Sequence, residues 1–289
     1  MNYSKFPRAI EIQTISACNA KCVICPHPTV SKELPSGSMS MDLFRRIIMQ
    51  INPSWNCKII PYLNSEPMLD QFIIERLCYI RDTLKDPDVE LSTNVAALTP
   101  LKQERMVGIR LGELRLSIFG FTEKTHQRTM PGLKWSTVKR NLDHLASNGT
   151  FRTSIDAISL VMIDSPLVTV EDVELAGAYC KKHGLGFNFW GFLDRARNVD
   201  YYSNAISRPM ILGCEQNRPL ERIHITFTGD VILCCQDWRW KNVIGNVKNS
   251  TLTDIWNSSV YQDYRESIYD GNGKHPEICS HCKLSVPSI

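Results

Sequence analysis

The first two-thirds of this 289-residue chain alternates short apolar segments with amphipathic ones, and nothing else in the sequence constrains its fold as strongly. Ile10–Ile15, Ile59–Leu63, Val89–Ser92, Leu114–Ile118, Ile155–Ile163 and Gly186–Trp190 have the length and composition of strands. Between them, apolar residues recur at helical spacing. Leu43, Phe44, Ile47, Ile48 and Ile51 share one helical face, and Leu69, Ile73, Leu77 and Ile80 another. Val138, Leu142 and Leu145 form a third stripe, and Val173, Ala176 and Cys180 a fourth. Ser40 stands where an N-cap belongs and Gly184 where a C-cap glycine belongs. Strand–helix units in series call for a parallel sheet with right-handed crossovers. Six are too few to close an eight-stranded barrel. The expected fold class is therefore α/β, an open, TIM-like partial (βα)6 barrel with its chemistry at the carboxyl ends of the strands.

After about Asn198 the pattern changes. A hairpin is expected from Ile223–Phe227 and Val231–Cys234, turning through Thr228-Gly229-Asp230. One amphipathic segment follows from Leu252 to Ile268, and then a cysteine-bearing tail. This divides the chain into a barrel over 1–198 and a small second domain over 199–289.

Bulk properties remove several classes of function. The net charge of +3 comes from 33 basic and 30 acidic residues, with no run of like charge, which gives no argument for nucleic acid. Met1 to Arg8 has no apolar h-region, and no stretch of eighteen apolar residues occurs, so neither a signal peptide nor a spanning helix is expected. A cytoplasmic protein is the expectation. Eleven cysteines, an odd number in a chain this long, point in a reducing compartment to metal or redox chemistry rather than disulfides.

Cys18, Cys22 and Cys25 form a C-x3-C-x2-C loop directly after the first strand. Thiolates suit iron–sulfur clusters, and three of them leave one iron of a cubane without a protein ligand. An open coordination position is where a cofactor or substrate binds. A zinc site with His27 as the fourth ligand is the competing reading, but zinc usually pairs two C-x-x-C units or a C-x-x-C with histidines. Four further cysteines group in the C-terminal part: Cys214, Cys234, Cys279 and Cys282. By spacing alone this set serves structural zinc and an iron–sulfur cluster equally well.

The loop and its position resemble the signature of the radical S-adenosylmethionine (radical SAM) superfamily, and further segments agree. Asn64-Ser65-Glu66-Pro67 is similar to the family's G-G-E-P segment, which implies that Glu66 receives the methionine amino group. Ser92-Thr93-Asn94 is similar to S-T-N-G, with Val95 in place of glycine. Thr93, Asn94 and Ser117, at later strand ends, and Ile24, before the third cysteine, complete the cofactor-binding positions that the resemblance implies. Gly229 to Asp237, Ile244 to Val247 and Leu252 to Asn257 resemble the SPASM/twitch extension of these enzymes. The middle cysteine block of a full SPASM domain is missing, so the shorter twitch form with one auxiliary cluster is implied.

The resemblance implies S-adenosylmethionine and a [4Fe-4S] cluster at the triad, with an auxiliary [4Fe-4S] cluster on Cys214, Cys234, Cys279 and Cys282. It implies an enzyme in which a 5′-deoxyadenosyl radical abstracts hydrogen from a small polar substrate, a sugar or aminocyclitol. The electron donor would be a flavodoxin or ferredoxin, with no nucleic acid or membrane involved. Oxidation of an alcohol leads; epimerisation, peptide maturation and a non-catalytic zinc-binding module are the alternatives. Cys235 is a candidate hydrogen donor for epimerisation, and strand alternation would point it opposite to Cys234. Asp237 is a candidate base, equally readable as a turn residue. His126, Asp164, Asp194 and Arg195 follow strands and are candidates for a polar pocket. Cys57, Cys78 and Cys180 read as packing residues.

Overall fold

The structure is a computed structural model that describes residues 3–52, 54–199, 206–271 and 274–288. Its strands, in chain order, are β1 Ala9–Ile12, β2 Lys58–Ile60, β3 Asp88–Thr93, β4 Leu111–Ser117, β5 Ile155–Ile163, β6 Gly186–Trp190, β7 Ile211–Cys214, β8 Arg222–Ile225, β9 Asp230–Ile232, β10 Val243–Asn246 and β11 Ser285–Pro287. Two compact units divide them. One comprises Ala17–Ile24 and Ser65–Phe192; the other comprises Met1–Ser16, Cys25–Asn64 and Leu193–Ile289.

In the unit built mainly from Ser65–Phe192, β3, β4, β5 and β6 pair in parallel, as serial crossovers require. Alternation sorts their side chains. Leu91, Leu114, Leu116, Leu160 and Met162 lie on one face, all fully buried. Each stabilises the fold by roughly 1.5–3 kcal/mol. The opposite face carries Glu90, Ser92, Glu113, Arg115 and Ser117. Arg115 bridges the two carboxylates there, reaching Glu90 at 2.7 Å and Glu113 at 2.8 Å. Barrel strands normally fill this face with branched apolar residues. A charged face has a different use.

The helix Val170–His183 begins at Thr169 with a capping box, which the sequence reading had not singled out, and ends at the expected Gly184 in the left-handed conformation (φ 62°). The stripe from Leu69 to Ile80 is interrupted. Pro67–Leu69 is a 3-10 turn and the α-helix is Ile73–Thr83. The break falls at Asp70, whose carboxylate pairs with buried Arg76 at 2.8 Å.

In the other unit, β1 lies between β2 and β8 and runs parallel to both. β8 and β9 form the expected hairpin, with Gly229 at φ 94° in its turn, and β10 extends it. The helix Met41–Ile48 is capped by the Ser40 hydroxyl, which accepts the Leu43 N–H. The segment expected as one helix from Leu252 to Ile268 is two, Leu252–Trp256 and Ser259–Tyr269. Ser258 starts the second by accepting the Tyr261 N–H, a competition that serine commonly wins over helix continuation. No helix among the described residues is long and apolar enough to cross a membrane.

Candidate active site and four-cysteine site

The loop from Ala17 to Ile24 is fixed by backbone bonds. Lys21 N–H donates to Pro131 O and Val23 N–H to Thr129 O, while Glu66 N–H donates to Ala17 O. Gly132, at φ 93°, approaches Asn19 O so closely that a Cβ would stand 2.9 Å from it. This presents Cys18 and Cys22 on a held loop; Cys25 follows in the other unit. None of the three is in a disulfide. Burial pushes the Cys25 thiol up, against a His27 backbone bond and the Arg195 guanidinium.

Glu66 is 3% exposed and organises the strand ends. Its Oε1 accepts from Met68 N–H at 3.0 Å and from the Thr93 hydroxyl at 2.7 Å; its Oε2 accepts from Asn94 N–H at 2.7 Å. Burial raises its pKa, against these bonds and the Lys102 charge. A carboxylate has about four acceptor sites, so a donor from a cofactor amino group can still be received. Thr93 orients Glu66. The Asn94 amide donates to Asn19 Oδ1 at 2.7 Å, tying the third strand end to the cysteine loop. Val95, in the glycine position, is at φ 69°. That conformation costs a β-branched residue about 1–2 kcal/mol. Buried Asn141 holds the turn by donating to Val95 O and Ala96 O, both at 3.0 Å.

Two further observations bear on whether S-adenosylmethionine fits. The Ser65 hydroxyl, beside Glu66, is buried without a hydrogen-bond partner among the described residues, a cost normally avoided. Ser117 and Ser92 hydroxyls lie 3.3 Å apart at adjacent strand ends. With Glu66, these offer donors and acceptors for a zwitterionic methionine end, while Ile24, 4% exposed, adds apolar surface. The residues fit the cofactor.

The four-cysteine site is built from tertiary pairing. β7 pairs with β11, placing Cys214 opposite Ser285. Arg208 holds the tail by donating to the carbonyls of Cys282 at 2.9 Å, Lys283 at 3.3 Å, and Ser285. Burial raises the Cys279 thiol, and Cys282 and Cys214 raise it further; Cys214 also raises Cys282. None of the three is in a disulfide. Cys234, 9% exposed, accepts Gln236 N–H at 3.5 Å. Partly buried thiols of Cys214, Cys279 and Cys282, with buried Cys234, are soft donors that fit a cluster.

Sequence reasoning missed the surroundings of Cys235. β9 ends at Ile232, so strand alternation does not reach Cys234 and Cys235. Interaction between the two thiols pushes the Cys234 thiol up and that of Cys235 down. Arg218, in the turn after Cys214, donates to Cys235 Sγ at 2.9 Å. Cys235 Sγ, His224 and Glu11 bring their donor atoms within 4.8 Å of one another, and Arg222 donates to Glu11 at 2.9 Å. His224 and Arg222 hold the Glu11 carboxyl at about 2 against the cost of burial. Two guanidiniums argue against a metal ion here. The one signal in the sequence was a glutamate inside an otherwise apolar first strand.

The other candidates separate. Asp237 is 1% exposed and accepts Lys241 N–H at 3.0 Å, Asn242 N–H at 2.7 Å and the Asn242 side chain at 3.1 Å, which bind its carboxylate into its own loop. His126 is fully buried against Trp135 at 5.0 Å, and burial lowers its pKa to about 4, so it is a neutral core residue. Asp164 is exposed, and Asp194 is buried. Cys57 and Cys180 are buried as expected, whereas Cys78 is exposed.

Comparisons with known proteins agree with this geometry. A model of the radical SAM superfamily matches residues 12–176, more than half of the chain, and one of SPASM, an iron–sulfur cluster-binding domain, matches 214–283. The chain belongs to the radical SAM superfamily, and it is an enzyme using S-adenosylmethionine, a [4Fe-4S] cluster and auxiliary iron–sulfur chemistry. It is 21% identical over 274 residues to the S-adenosyl-L-methionine-dependent 2-deoxy-scyllo-inosamine dehydrogenase of Niallia circulans, covering 94% of this chain and 91% of that protein. Its fold is similar to BtrN in complex with AdoMet and 2-DOIA (TM-score 0.69, 18% identity, 98% of this chain and 96% of the other). SuiB of Streptococcus suis bound to precursor peptide SuiA is similar over 98% of this chain and 71% of its own (TM-score 0.75, 13% identity). The anSMEcpe structure with AdoMet is similar over 89% and 83% (TM-score 0.65, 16% identity). The α/β radical SAM fold with a C-terminal iron–sulfur domain, expected from the sequence, is the fold these structures share.

Proposed function

We propose that this enzyme oxidises a secondary alcohol of a small polyol, an aminocyclitol or sugar, to a ketone. The observation that carries the reading is the likeness to the dehydrogenase, which runs nearly end to end in both chains. Two structural features support it. One face of β3 and β4 is hydrophilic, carrying Glu90, Glu113 and Arg115 with Ser92 and Ser117, which suits a substrate dense in hydroxyl groups. Four cysteines, if all ligate the auxiliary cluster, would leave it no open position, which suits electron transfer better than substrate binding.

Bound at the triad, S-adenosylmethionine and its cluster would supply the radical that takes one hydrogen atom from the substrate carbon, after which loss of the hydroxyl proton to solvent and of one electron to the auxiliary cluster would complete the two-electron oxidation. The chain's own residues do the positioning. Glu66 and Ser65 receive the methionine end. Thr93 and Asn94 fix Glu66, and Asn94 with Asn19 fixes the cysteine loop.

Epimerisation is separated from oxidation by turnover of 2-deoxy-scyllo-inosamine in deuterated solvent under strong reductant. Oxidation yields a ketone without deuterium at the reacting carbon, and Cys235→Ala leaves the ketone yield within a few-fold of wild type. Deuterium at an inverted carbon, abolished by Cys235→Ala, would replace this reading with the epimerase.

A further inference from the structure

Arg218 stands four residues after Cys214, on a turn whose backbone is fixed from both sides. Asn217, left-handed at φ 47°, reverses the chain, a conformation asparagine adopts more readily than most residues. Its N–H donates to Cys214 O at 2.9 Å. Pro219 lies in the first turn of the short helix Arg218–Glu221, where its missing N–H costs nothing. The Pro219 carbonyl in turn accepts from buried Arg265 at 2.9 Å.

The half-buried side chain is held as firmly. Gln216 Oε1 accepts from Arg218 Nε at 2.9 Å and from Nη2 at 2.5 Å. This two-point clamp leaves Nη1 directed at Cys235 Sγ, 2.9 Å away. What the guanidinium lacks is a carboxylate. No acidic group lies within ion-pair distance of it among the described residues. Glu11, whose charge it feels, is paired instead with Arg222 at 2.9 Å. A partly buried cation without an anion of its own is costly, so its use must lie elsewhere.

Sulfur is what faces this charge. Beyond the bond to Cys235, the guanidinium acts on two cysteines of the auxiliary set. Cys235 and burial push the Cys234 thiol up, and Arg218 pulls against them. Burial pushes the Cys282 thiol up, and Arg218 opposes that too. With Cys214 on its own turn, Arg218 is linked by chain or by charge to three of the four cysteines. All of these residues belong to one compact unit.

We propose that Arg218 tunes the auxiliary cluster: its clamped positive charge raises the cluster's reduction potential, so that the cluster accepts an electron more readily than four thiolates alone would allow. Reduction adds one negative charge, and a nearby cation stabilises that form more than the oxidised one. Arginine stays charged at every working pH, so the bias is constant. The inference rests on the four-cysteine set holding an iron–sulfur cluster and not on which alcohol is oxidised.

The test is the midpoint potential of the auxiliary cluster, followed by electron paramagnetic resonance during dye-mediated titration of the anaerobic, iron-loaded protein. Cys18→Ala serves as the parent, because it removes the overlapping signal of the triad cluster. In that parent, Arg218→Gln should shift the reduction equilibrium at least about tenfold towards the oxidised form, a fall of about 59 mV for one electron. Arg218→Lys keeps the charge and should shift it less than about threefold. Gln216→Leu, at an exposed position, releases the guanidinium without removing it and should fall between. In protein with an intact triad, Arg218→Gln should leave the potential of the triad cluster unchanged. An unaltered auxiliary midpoint in Arg218→Gln, or equal shifts in the Gln and Lys variants, would overturn the proposal. So would a four-cysteine set that holds zinc and shows no redox couple. If Arg218→Gln fails to hold iron, Gln216→Leu decides, and a wild-type midpoint there overturns the proposal. Failure to oxidise 2-deoxy-scyllo-inosamine would bear on the substrate alone.

Discussion

Glu66 Oε2 accepts the backbone N–H of Asn94 at 2.7 Å, so the second and third strand ends of the active site are joined through one buried carboxylate. Glu66→Gln preserves shape but gives the side chain an NH2 group. Either orientation then sets that donor against Asn94 N–H or against the Thr93 and Met68 donors. At least one buried donor is left unmade, each at a cost of about 1–3 kcal/mol. The variant should bind S-adenosylmethionine at least tenfold more weakly in equilibrium dialysis while retaining iron at the triad. Wild-type affinity would remove Glu66 from the cofactor site.

The two cysteine sets should load independently. Wild type prepared anaerobically should carry about eight irons in two cubane clusters. Cys18→Ala should reduce that to about four and abolish cleavage of S-adenosylmethionine to 5′-deoxyadenosine. Cys279→Ala should also leave about four but retain cleavage. Zinc in place of iron after either substitution would show that the surviving set is a structural zinc site.

Much of this was legible in the sequence because it depends on local order. The triad lies in one loop, Thr93 and Ser117 end β3 and β4, Asn94 follows β3, and Glu66 follows β2 directly before the turn Pro67–Leu69, an order along the chain that carried the family resemblance. The helix cap at Ser40 and the C-cap at Gly184 are equally local. Arg218, His224 and Glu11 were hidden because they meet through pairing of β1 with β8, two segments remote in the chain. The contacts of Cys235 were hidden for a different reason. Alternation holds only while the strand lasts, and β9 stops two residues before Cys234. The breaks at Asp70 and Ser258 come from side chains that found better partners than the helix could offer.

Arg265 is 1% exposed and lies among three aromatic rings, 4.0 Å from Tyr3, 4.2 Å from Trp256 and 3.9 Å from Tyr261. It also donates to Pro219 O at 2.9 Å and Trp256 O at 2.7 Å. Lysine keeps the charge but neither the planar stacking nor the fork of donors. Arg265→Lys should cost about 2–4 kcal/mol, since a desolvated cation–π contact is worth about 2 and an unmet buried carbonyl about 1–3. Chemical denaturation should show a lower midpoint with an unchanged slope. A change under about 0.5 kcal/mol would mean that the rings, not the guanidinium, carry this part of the core.

Asp172 serves two elements at once, and this gives its contribution a defined pH dependence. Its Oδ1 accepts Phe121 N–H at 2.7 Å and Thr122 N–H at 2.8 Å, and its Oδ2 accepts Thr169 N–H at 3.0 Å and the Thr169 hydroxyl at 2.6 Å. Burial alone would raise this carboxyl, but the Thr169 and Thr122 bonds outweigh it and lower the pKa from 3.8 to about 2. A depressed folded pKa means stability that is fully present above the unfolded value and is lost as pH falls towards the folded one. A shift of that size corresponds to roughly 2.5 kcal/mol. Asp172→Asn should therefore lower the melting temperature by several degrees at pH 7. The gap between variant and wild type should hold from pH 7 to about pH 5 and then narrow, by about half at pH 3, as wild type loses the contribution. A gap that stays constant down to pH 3 would mean that Asp172 acts through shape and not through charge.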